Sequence, residues 1–142
     1  MESTFLGLVV DSSAVISAER KKQPIAQFIE SIFRAYGSLS LSLSPITVAE
    51  LVHGIYRSKT VEIGQRRRQY IEELVRLIPV HPITSRTAWL VGRMEGQEAA
   101  KGNVIPFNDL MIAAAALEQS YAVLTGNVRH FQRVPGLNVV QL

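Results

Sequence analysis

Hydrophobic positions along the chain form two kinds of pattern, unbroken runs and helical stripes. The run from Phe5 to Val10 is apolar throughout, as is typical of a parallel strand buried on both faces. A stripe of helical period then extends from Pro24 to Gly37, with proline at the favoured first position. From Ser38 to Ser44, Ser and Leu alternate strictly, which predicts a second strand.

The same alternation continues to the end of the chain. Further helices are predicted from Thr47, from Val61 to Ile78, from Thr84 to Gly102 and from Asn108 to Gln119. Further strands are predicted at Pro79 to Ile83, Tyr121 to Leu124 and Asn138 to Leu142. Strands that alternate with helices favour an α/β sandwich around a mostly parallel sheet. No linker or repeat interrupts the series, so we expect residues 1–142 to form a single domain.

Composition narrows the class of protein. Of the 142 residues, 47% are hydrophobic and 19% are charged, which excludes a disordered or collagen-like chain. The longest apolar runs, such as Leu110 to Leu117, are far shorter than the roughly 20 residues that span a bilayer. Met1 to Thr4 contain no basic segment of the kind that begins a secretory signal. The absence of cysteine suits a reducing compartment, so we expect a cytoplasmic protein.

The net charge of +3 arises in one segment. Residues from Arg57 to Arg76 include six basic residues and three glutamates. A basic helix face can contact the phosphates of a nucleic acid, and Arg66, Arg67 and Arg68 are the candidates for that contact. The alternative is that these arginines form an ordinary solvated helix face.

Acidic residues are distributed unevenly, because only two of the twelve are aspartates. Asp11 follows the first buried strand and Asp109 opens a helix. In an open parallel sheet, ligands bind beyond the carboxyl ends of the strands, so both aspartates are expected to face one crevice. Each also has a purely structural alternative. Asp11 can satisfy backbone N–H groups in a turn, and Asp109 can complement a helix dipole.

A third acid, Glu50, stands in the pattern Thr47-x-x-Glu50, which is typical of a helix capping box. Capping leaves one carboxylate oxygen free. If Glu50 converges with Asp11 and Asp109, the three groups can hold a hard cation such as Mg²⁺ or Mn²⁺. Such a cation neutralises phosphate charge and activates water, which suits phosphodiester cleavage.

The sequence lacks the motifs on which other common catalytic chemistries depend. The chain has no glycine-rich phosphate loop, no Gly-x-Ser-x-Gly elbow, and no second aspartate two positions after Asp11. The three histidines, His53, His81 and His130, do not show zinc-ligand spacing, although His130 lies near the expected crevice.

Four segments resemble PIN-domain ribonucleases of the VapC toxin type. They occur in the family order across nearly the whole chain, at Val9 to Ala14, Thr47 to Gly54, Ile105 to Ala114 and Leu124 to Phe131. The resemblance implies a three-layer α/β/α sandwich with a mostly parallel five-stranded sheet, and endoribonuclease activity dependent on Mg²⁺ or Mn²⁺. It also implies a homodimer, a cognate VapB-type antitoxin, and binding of promoter DNA only through that antitoxin.

Residue by residue, the resemblance assigns metal binding and catalysis to Asp11, Glu50 and Asp109. It assigns supporting hydrogen bonds to the hydroxyl groups of Ser13 and Thr125.

The sequence departs from the family pattern at Asn127, where a fourth acid often stands. An amide can position water but brings no negative charge, so we expect one tightly held cation, with any second ion recruited by substrate phosphate. Arg129, two residues further on, joins Arg66, Arg67 and Arg68 as a candidate for RNA binding.

Two alternatives to a toxin nuclease remain open at this point. The first is a catalytically weak or silent PIN-fold module that binds RNA or protein, in which Glu50 only caps its helix. The second is an RNA-maturation nuclease without an antitoxin. The sequence does not name an RNA target.

Overall fold

Four parallel strands and seven helices make up the part of the chain described by the computed structural model, residues 5–142. The strands are β1 (Gly7–Val10), β2 (Ser40–Ser42), β3 (Ala122–Thr125) and β4 (Val139–Gln141). The helices are α1 (Ser12–Arg20), α2 (Ile25–Tyr36), α3 (Pro45–Tyr56), α4 (Val61–Leu77), α5 (Ser85–Ala100), α6 (Phe107–Gln119) and α7 (Val128–Phe131). Met1 to Thr4, where no secretory signal was expected, lie outside the described residues.

The sheet has the order β2-β1-β3-β4, and every pair is parallel. The chain leaves β1 towards β2 on one side and returns to β3 on the other side, so the crossover direction reverses between β1 and β3. This reversal opens a crevice at the carboxyl ends of the two central strands, where open α/β sheets bind their ligands.

The predicted fifth strand at Pro79 to Ile83 is wrong. This segment makes a single parallel bridge between Leu43 and Val80. Pro79 and Pro82 have no backbone N–H, so neither can donate to a strand ladder. The observed sheet therefore has four strands within residues 5–142.

Side chains of the central strands alternate between two helical layers. Leu8, Val10 and Leu124 pack in the core beneath α1 to α4, whereas Val9 and Val123 pack against α6 and α7 on the opposite face. Both faces of β1 are thus buried, as its unbroken apolar run predicts. The result is the predicted three-layer α/β/α arrangement.

Helix α6 is the most deeply buried helix and it carries Asp109. Its residues from Leu110 to Ala116 are all buried, and four of them in succession are alanines. Small side chains let α6 lie close to β1 and β3, while α5 covers its outer side through Val91 and Met94. The site acid is therefore fixed to a rigid element.

Two helices were not predicted, α1 and α7, and both begin shortly after the end of a strand. The other predicted helices are present with their ends shifted by a few residues at most. None of the helices within residues 5–142 has the length and apolar character needed to span a membrane.

Gly7 is needed where β1 passes closest to its neighbours. A Cβ atom there would overlap the carbonyl oxygen of Ser40 and come within 2.7 Å of the Tyr121 ring. We expect Gly7→Ala to lower the free energy of unfolding by about 1–3 kcal/mol, the usual cost of overpacking. Gly92→Ala is the control, because its Cβ meets no atom within 4 Å and alanine favours the helix. Chemical denaturation measures both variants, and equal stability of Gly7→Ala and wild type would contradict the expectation.

Candidate active site

Asp11 lies at the carboxyl end of β1 and is 5% exposed. It is the N-cap residue of α1, but its side chain accepts no hydrogen bond from the helix backbone. Its Oδ2 atom instead accepts hydrogen bonds from Ser13 Oγ at 2.7 Å and from Thr125 Oγ1 at 2.9 Å. Asp11 therefore does not cap the turn, which was the structural role that the sequence suggested.

The hydroxyl groups of Ser13 and Thr125 are themselves held by backbone N–H groups. Ser13 Oγ accepts a hydrogen bond from the Gly126 N–H at 3.0 Å, and Thr125 Oγ1 accepts one from the Asn127 N–H at 2.9 Å. Each hydroxyl has a single proton, and each directs it towards Asp11. The backbone after β3 therefore holds the hydroxyls, and the hydroxyls hold the carboxylate.

Glu50 is free to serve the site because the predicted capping box is wrong. Helix α3 begins at Pro45, with Ser44 as its N-cap, and Ser44 Oγ accepts from the Ile46 N–H at 3.1 Å. Thr47 lies inside the helix with its hydroxyl buried and without a partner among the described residues. The Oε1 atom of Glu50 accepts a hydrogen bond from Ser12 Oγ at 3.2 Å, which connects α3 to the start of α1.

Asp109 lies in the first turn of α6, which has Pro106 as its N-cap rather than the predicted Asn108. Its side chain is 16% exposed, and its Oδ2 atom is 3.8 Å from Nδ1 of His130. The carboxylate thus points from α6 towards α7, which follows the end of β3 where Thr125 contacts Asp11.

The acids share one electrostatic environment. Burial raises the pKa of Glu50, and the charges of Asp11 and Asp109 raise it further, while the hydrogen bond from Ser12 lowers it. Burial also raises the pKa of Asp109. The charge of His130 lowers that pKa, that of Asp11 raises it, and that of Arg133 lowers it. Neighbouring carboxylates thus contribute to the raised pKa values of Glu50 and Asp109, so the structure places the three predicted acids within electrostatic reach of one another.

These charges do not form a ready-made coordination shell. Within residues 5–142, no three acidic or imidazole side chains are grouped closely enough to hold a metal ion as they stand. The donors are nevertheless all oxygen atoms, which are the ligands that Mg²⁺ and Mn²⁺ prefer. A buried carboxylate held only by hydroxyls is stabilised further by a cation.

The raised pKa of Asp109 predicts the sign of a stability change. A folded-state pKa above the ordinary value of 3.8 means that the folded protein binds more protons, so stability falls as pH rises through this window. At neutral pH and in EDTA, we expect Asp109→Asn to have a higher Tm than wild type, with the difference shrinking as pH falls towards 4. Thermal unfolding at several pH values measures this, with the exposed Glu95→Gln as control. A lower Tm for Asp109→Asn at every pH would contradict the repulsion.

Of the remaining predicted site residues, two lie at α7 and three lie in α4. Asn127 is the N-cap residue of α7, but its exposed side chain makes no capping hydrogen bond. Arg129, in α7, is exposed beside it.

The three arginines of α4 differ from one another. Arg67 turns inwards and its Nη1 atom donates to the Gly54 carbonyl oxygen at 3.0 Å and to Ser58 Oγ at 3.1 Å. Arg68 is exposed and lies over the ring of Tyr56, 5.9 Å from its centroid. Arg66 is exposed as well. Arg67 thus joins α4 to α3. Of the three arginines, only Arg66 and Arg68 are exposed and available for RNA contact.

Ser12 and Arg133 act on the site acids but were not among the predicted site residues. Ser12 donates to Glu50, and the charge of Arg133 lowers the pKa of Asp109. Ser12 adjoins Asp11 in sequence, so its position close to the site could be predicted. Its hydrogen bond to Glu50, 38 residues away, could not. No spacing pattern in the sequence marks Arg133.

Comparison with known proteins identifies the family. A family model described as PIN domain matches residues 8–137. The chain is also 30% identical to the ribonuclease VapC of Rickettsia bellii over 135 residues, which cover 95% of this chain and 96% of that relative. This chain belongs to the PIN-domain family of VapC ribonucleases.

Solved structures agree with the PIN-domain fold. The structure of VapBC-1 from nontypeable Haemophilus influenzae matches with a TM-score of 0.75 and 28% identity, covering 94% of this chain and 96% of that one. The DNA-bound VapBC of Salmonella typhimurium matches with a TM-score of 0.79 and 24% identity, covering 96% and 98%. The predicted fold class is confirmed, apart from the fifth strand.

Proposed function

We propose that this PIN-domain protein is an endoribonuclease that acts as the toxin of a toxin-antitoxin pair and uses Mg²⁺ or Mn²⁺. The observation that carries the proposal is the convergence of Asp11, Glu50 and Asp109. Asp11 is buried and oriented by two hydroxyls, and the pKa values of the other two acids are raised by burial and by neighbouring carboxylates. The ribonuclease names of relatives such as the Rickettsia bellii protein support the reaction class.

The donor set fits a hard cation at the crevice. Both hydrogen bonds to Asp11 use Oδ2 and the bond from Ser12 to Glu50 uses Oε1, so each carboxylate keeps a second oxygen for a ligand. A bound Mg²⁺ or Mn²⁺ would neutralise charge on the scissile phosphate and lower the pKa of a water molecule. Asn127 adds a neutral amide, so three formal charges support the proposal of one tightly held cation.

The residues around the acids then have positioning roles. Ser13 and Thr125 fix the plane of the Asp11 carboxylate, and Ser12 restrains Glu50. Arg133 places positive charge near Asp109, where it can meet the phosphate backbone of RNA.

A VapB-type antitoxin is the proposed protein partner. The support is the similarity to Haemophilus influenzae VapBC-1, which covers nearly the full length of both chains. Promoter DNA would be bound through the antitoxin, as part of the same proposal. Homodimer formation and a cytoplasmic location remain predictions from the sequence.

Exposed arginines of α4 are proposed to contact RNA phosphates. We expect Arg66→Ala/Arg68→Ala to weaken RNA binding and to reduce the slope of log K against log salt by about 1.4, which corresponds to two lost phosphate contacts on a single strand. Arg67→Ala is the contrasting variant, because its partners are Gly54, Ser58 and Glu19, and it should lower Tm instead. Fluorescence anisotropy at several salt concentrations measures the slope. An unchanged slope in the double variant would show that Arg66 and Arg68 belong to an ordinary solvated helix face.

Cleavage of a cellular RNA pool tests the proposed function. We expect purified protein to cut discrete RNAs with Mg²⁺ or Mn²⁺ and to leave them intact with EDTA. Sequencing of the new 5′ ends would identify the target class. If RNA binds but is not cut under any condition, the silent binding module gains support, with Asn127 as the feature that favours it.

A further inference from the structure

A polar pocket adjoins the acidic site on the side of α7. Its volume is about 460 Å³, and it is lined by residues 126–130, Gln132 and Gln141. We call it the α7 pocket. The acids of the proposed catalytic site are not among its lining residues, so this pocket is a separate feature next to that site.

Two residues that line the α7 pocket, Gly126 and His130, also contact residues of the acidic site. The backbone N–H of Gly126 donates to Ser13 Oγ, which in turn donates to Asp11. On the other side, His130 Nδ1 is 3.8 Å from Asp109 Oδ2. A strand of RNA with one phosphate at the acids would therefore place an adjacent nucleotide at this pocket.

Gln141 is held next to the site by the sheet itself. It pairs in parallel register with Thr125, whose hydroxyl contacts Asp11. Side chains in register on neighbouring strands point to the same face, about 4.8 Å apart. The exposed side chain of Gln141 therefore extends from a backbone position that is fixed relative to Thr125. Exposed Gln132, the residue directly after α7, also lines the pocket.

The lining chemistry suits a nucleotide. None of the lining residues carries a carboxylate, Arg129 supplies a positive charge, and Gln132 and Gln141 each supply an amide donor and acceptor. The volume falls in the range of pockets that hold one small ligand, and a duplex would not enter it. Amides can read a base edge only when that edge is not already paired.

We propose that the α7 pocket is a subsite for one unpaired nucleotide next to the scissile phosphate. In this subsite Gln132 and Gln141 contact the edge of the base, and Arg129 contacts a flanking phosphate. The proposal rests on the proposed ribonuclease function, and it adds the prediction that a single-stranded substrate is selected at one position beside the cut.

Binding of short labelled RNAs tests the subsite without requiring cleavage. Fluorescence anisotropy in EDTA would compare a mixed-sequence single strand with a fully paired hairpin, for wild type and for Arg129→Ala/Gln132→Ala. We expect wild type to prefer the single strand, and the variant to bind it about 10-fold more weakly while binding of the hairpin changes little. The matched control is Arg93→Ala/Gln97→Ala, which removes the same residue types from the exposed face of α5. Equal losses in both double variants, or no loss in either, would overturn the subsite.

Base selection is the second readout. RNAs with randomised nucleotides around a mapped cut would be cleaved by wild type and by Gln132→Ala/Gln141→Ala. We expect wild type to show a base preference at one position beside the cut and the variant to reduce it by about 10-fold, in the range of one lost bidentate base contact. A preference that survives intact in an active variant would overturn the subsite while leaving the nuclease function standing. If wild type does not cleave RNA even with Mg²⁺ or Mn²⁺ present, that result would count against the nuclease function. The anisotropy comparison would still decide the subsite.

Discussion

Asp109→Asn is expected to lower RNA cleavage by at least about 1,000-fold, since it removes one of three formal charges that hold the proposed cation. Metal catalysis contributes several kcal/mol to stabilisation of a phosphoryl transition state, and each 1.36 kcal/mol is a factor of ten in rate. Asparagine keeps the shape of the side chain in the first turn of α6, so packing of that helix is preserved. Single-turnover cleavage of the mapped RNA target measures the loss.

The stability of the same variant makes this result decisive. Because the pKa of Asp109 is raised in the folded protein, its neutralisation is expected to stabilise the fold rather than to unfold it. A variant with higher Tm and lost cleavage would place the effect in the chemistry. Cleavage within about threefold of wild type would contradict a catalytic role for Asp109, and Glu95→Gln, purified in the same way, should cut at the wild-type rate.

Removal of both hydroxyls that hold Asp11 is expected to lower cleavage by about 10- to 100-fold, the usual effect of groups that orient a metal ligand. Ser13→Ala and Thr125→Val each delete one hydrogen bond to the same Oδ2 atom. Since they share that atom, their effects should not add, and the double variant should lose less than the product of the single losses.

The metal dependence of these hydroxyl variants separates positioning from catalysis. We expect saturating Mn²⁺ to restore part of the activity of Ser13→Ala/Thr125→Val, because its three carboxylates remain, and not to restore Asp109→Asn. Rates measured across a Mn²⁺ titration test this difference. Equal rescue of the two variants, or a double variant as active as wild type, would show that the hydroxyls do not act through Asp11.

Local patterns were sufficient to predict the position of the acids in the fold. The unbroken apolar run before Asp11 predicts a strand buried on both faces, and such a strand delivers its last residue to the crevice edge. The apolar stretch from Leu110 to Ala116 likewise predicts a buried helix directly after Asp109. In both cases the burial is encoded within a few consecutive residues.

Errors arose where two local signals competed. Thr47-x-x-Glu50 has the form of a capping box, but Ser44-Pro45 has the stronger start signal, because proline is favoured at the first helical position and serine caps it. Choosing the later start gave Glu50 a structural role that it does not have. In the same way, the apolar residues near Val80 resemble a strand, while its flanking prolines limit it to one bridge.

Contacts between distant parts of the chain were beyond local reasoning. Ser13 and Thr125 are separated by 112 residues, and only the pairing of β1 with β3 brings them together at Asp11. The resemblance to VapC proteins assigned supporting hydrogen bonds to these hydroxyls, but it did not show that both are donated to the Oδ2 atom of Asp11. The α7 pocket was likewise invisible, because it forms only when β4 places Gln141 beside Thr125.

Calorimetric titration of Mn²⁺ into the wild-type protein and into Asp109→Asn is the most direct test of the carboxylate site. The proposed arrangement of Asp11, Glu50 and Asp109 predicts one tight site in wild type without RNA, and binding weakened by at least about tenfold in the variant. Equal binding by both proteins would place the cation elsewhere. Two tight sites in wild type would contradict the inference that Asn127 limits this centre to a single strongly held ion.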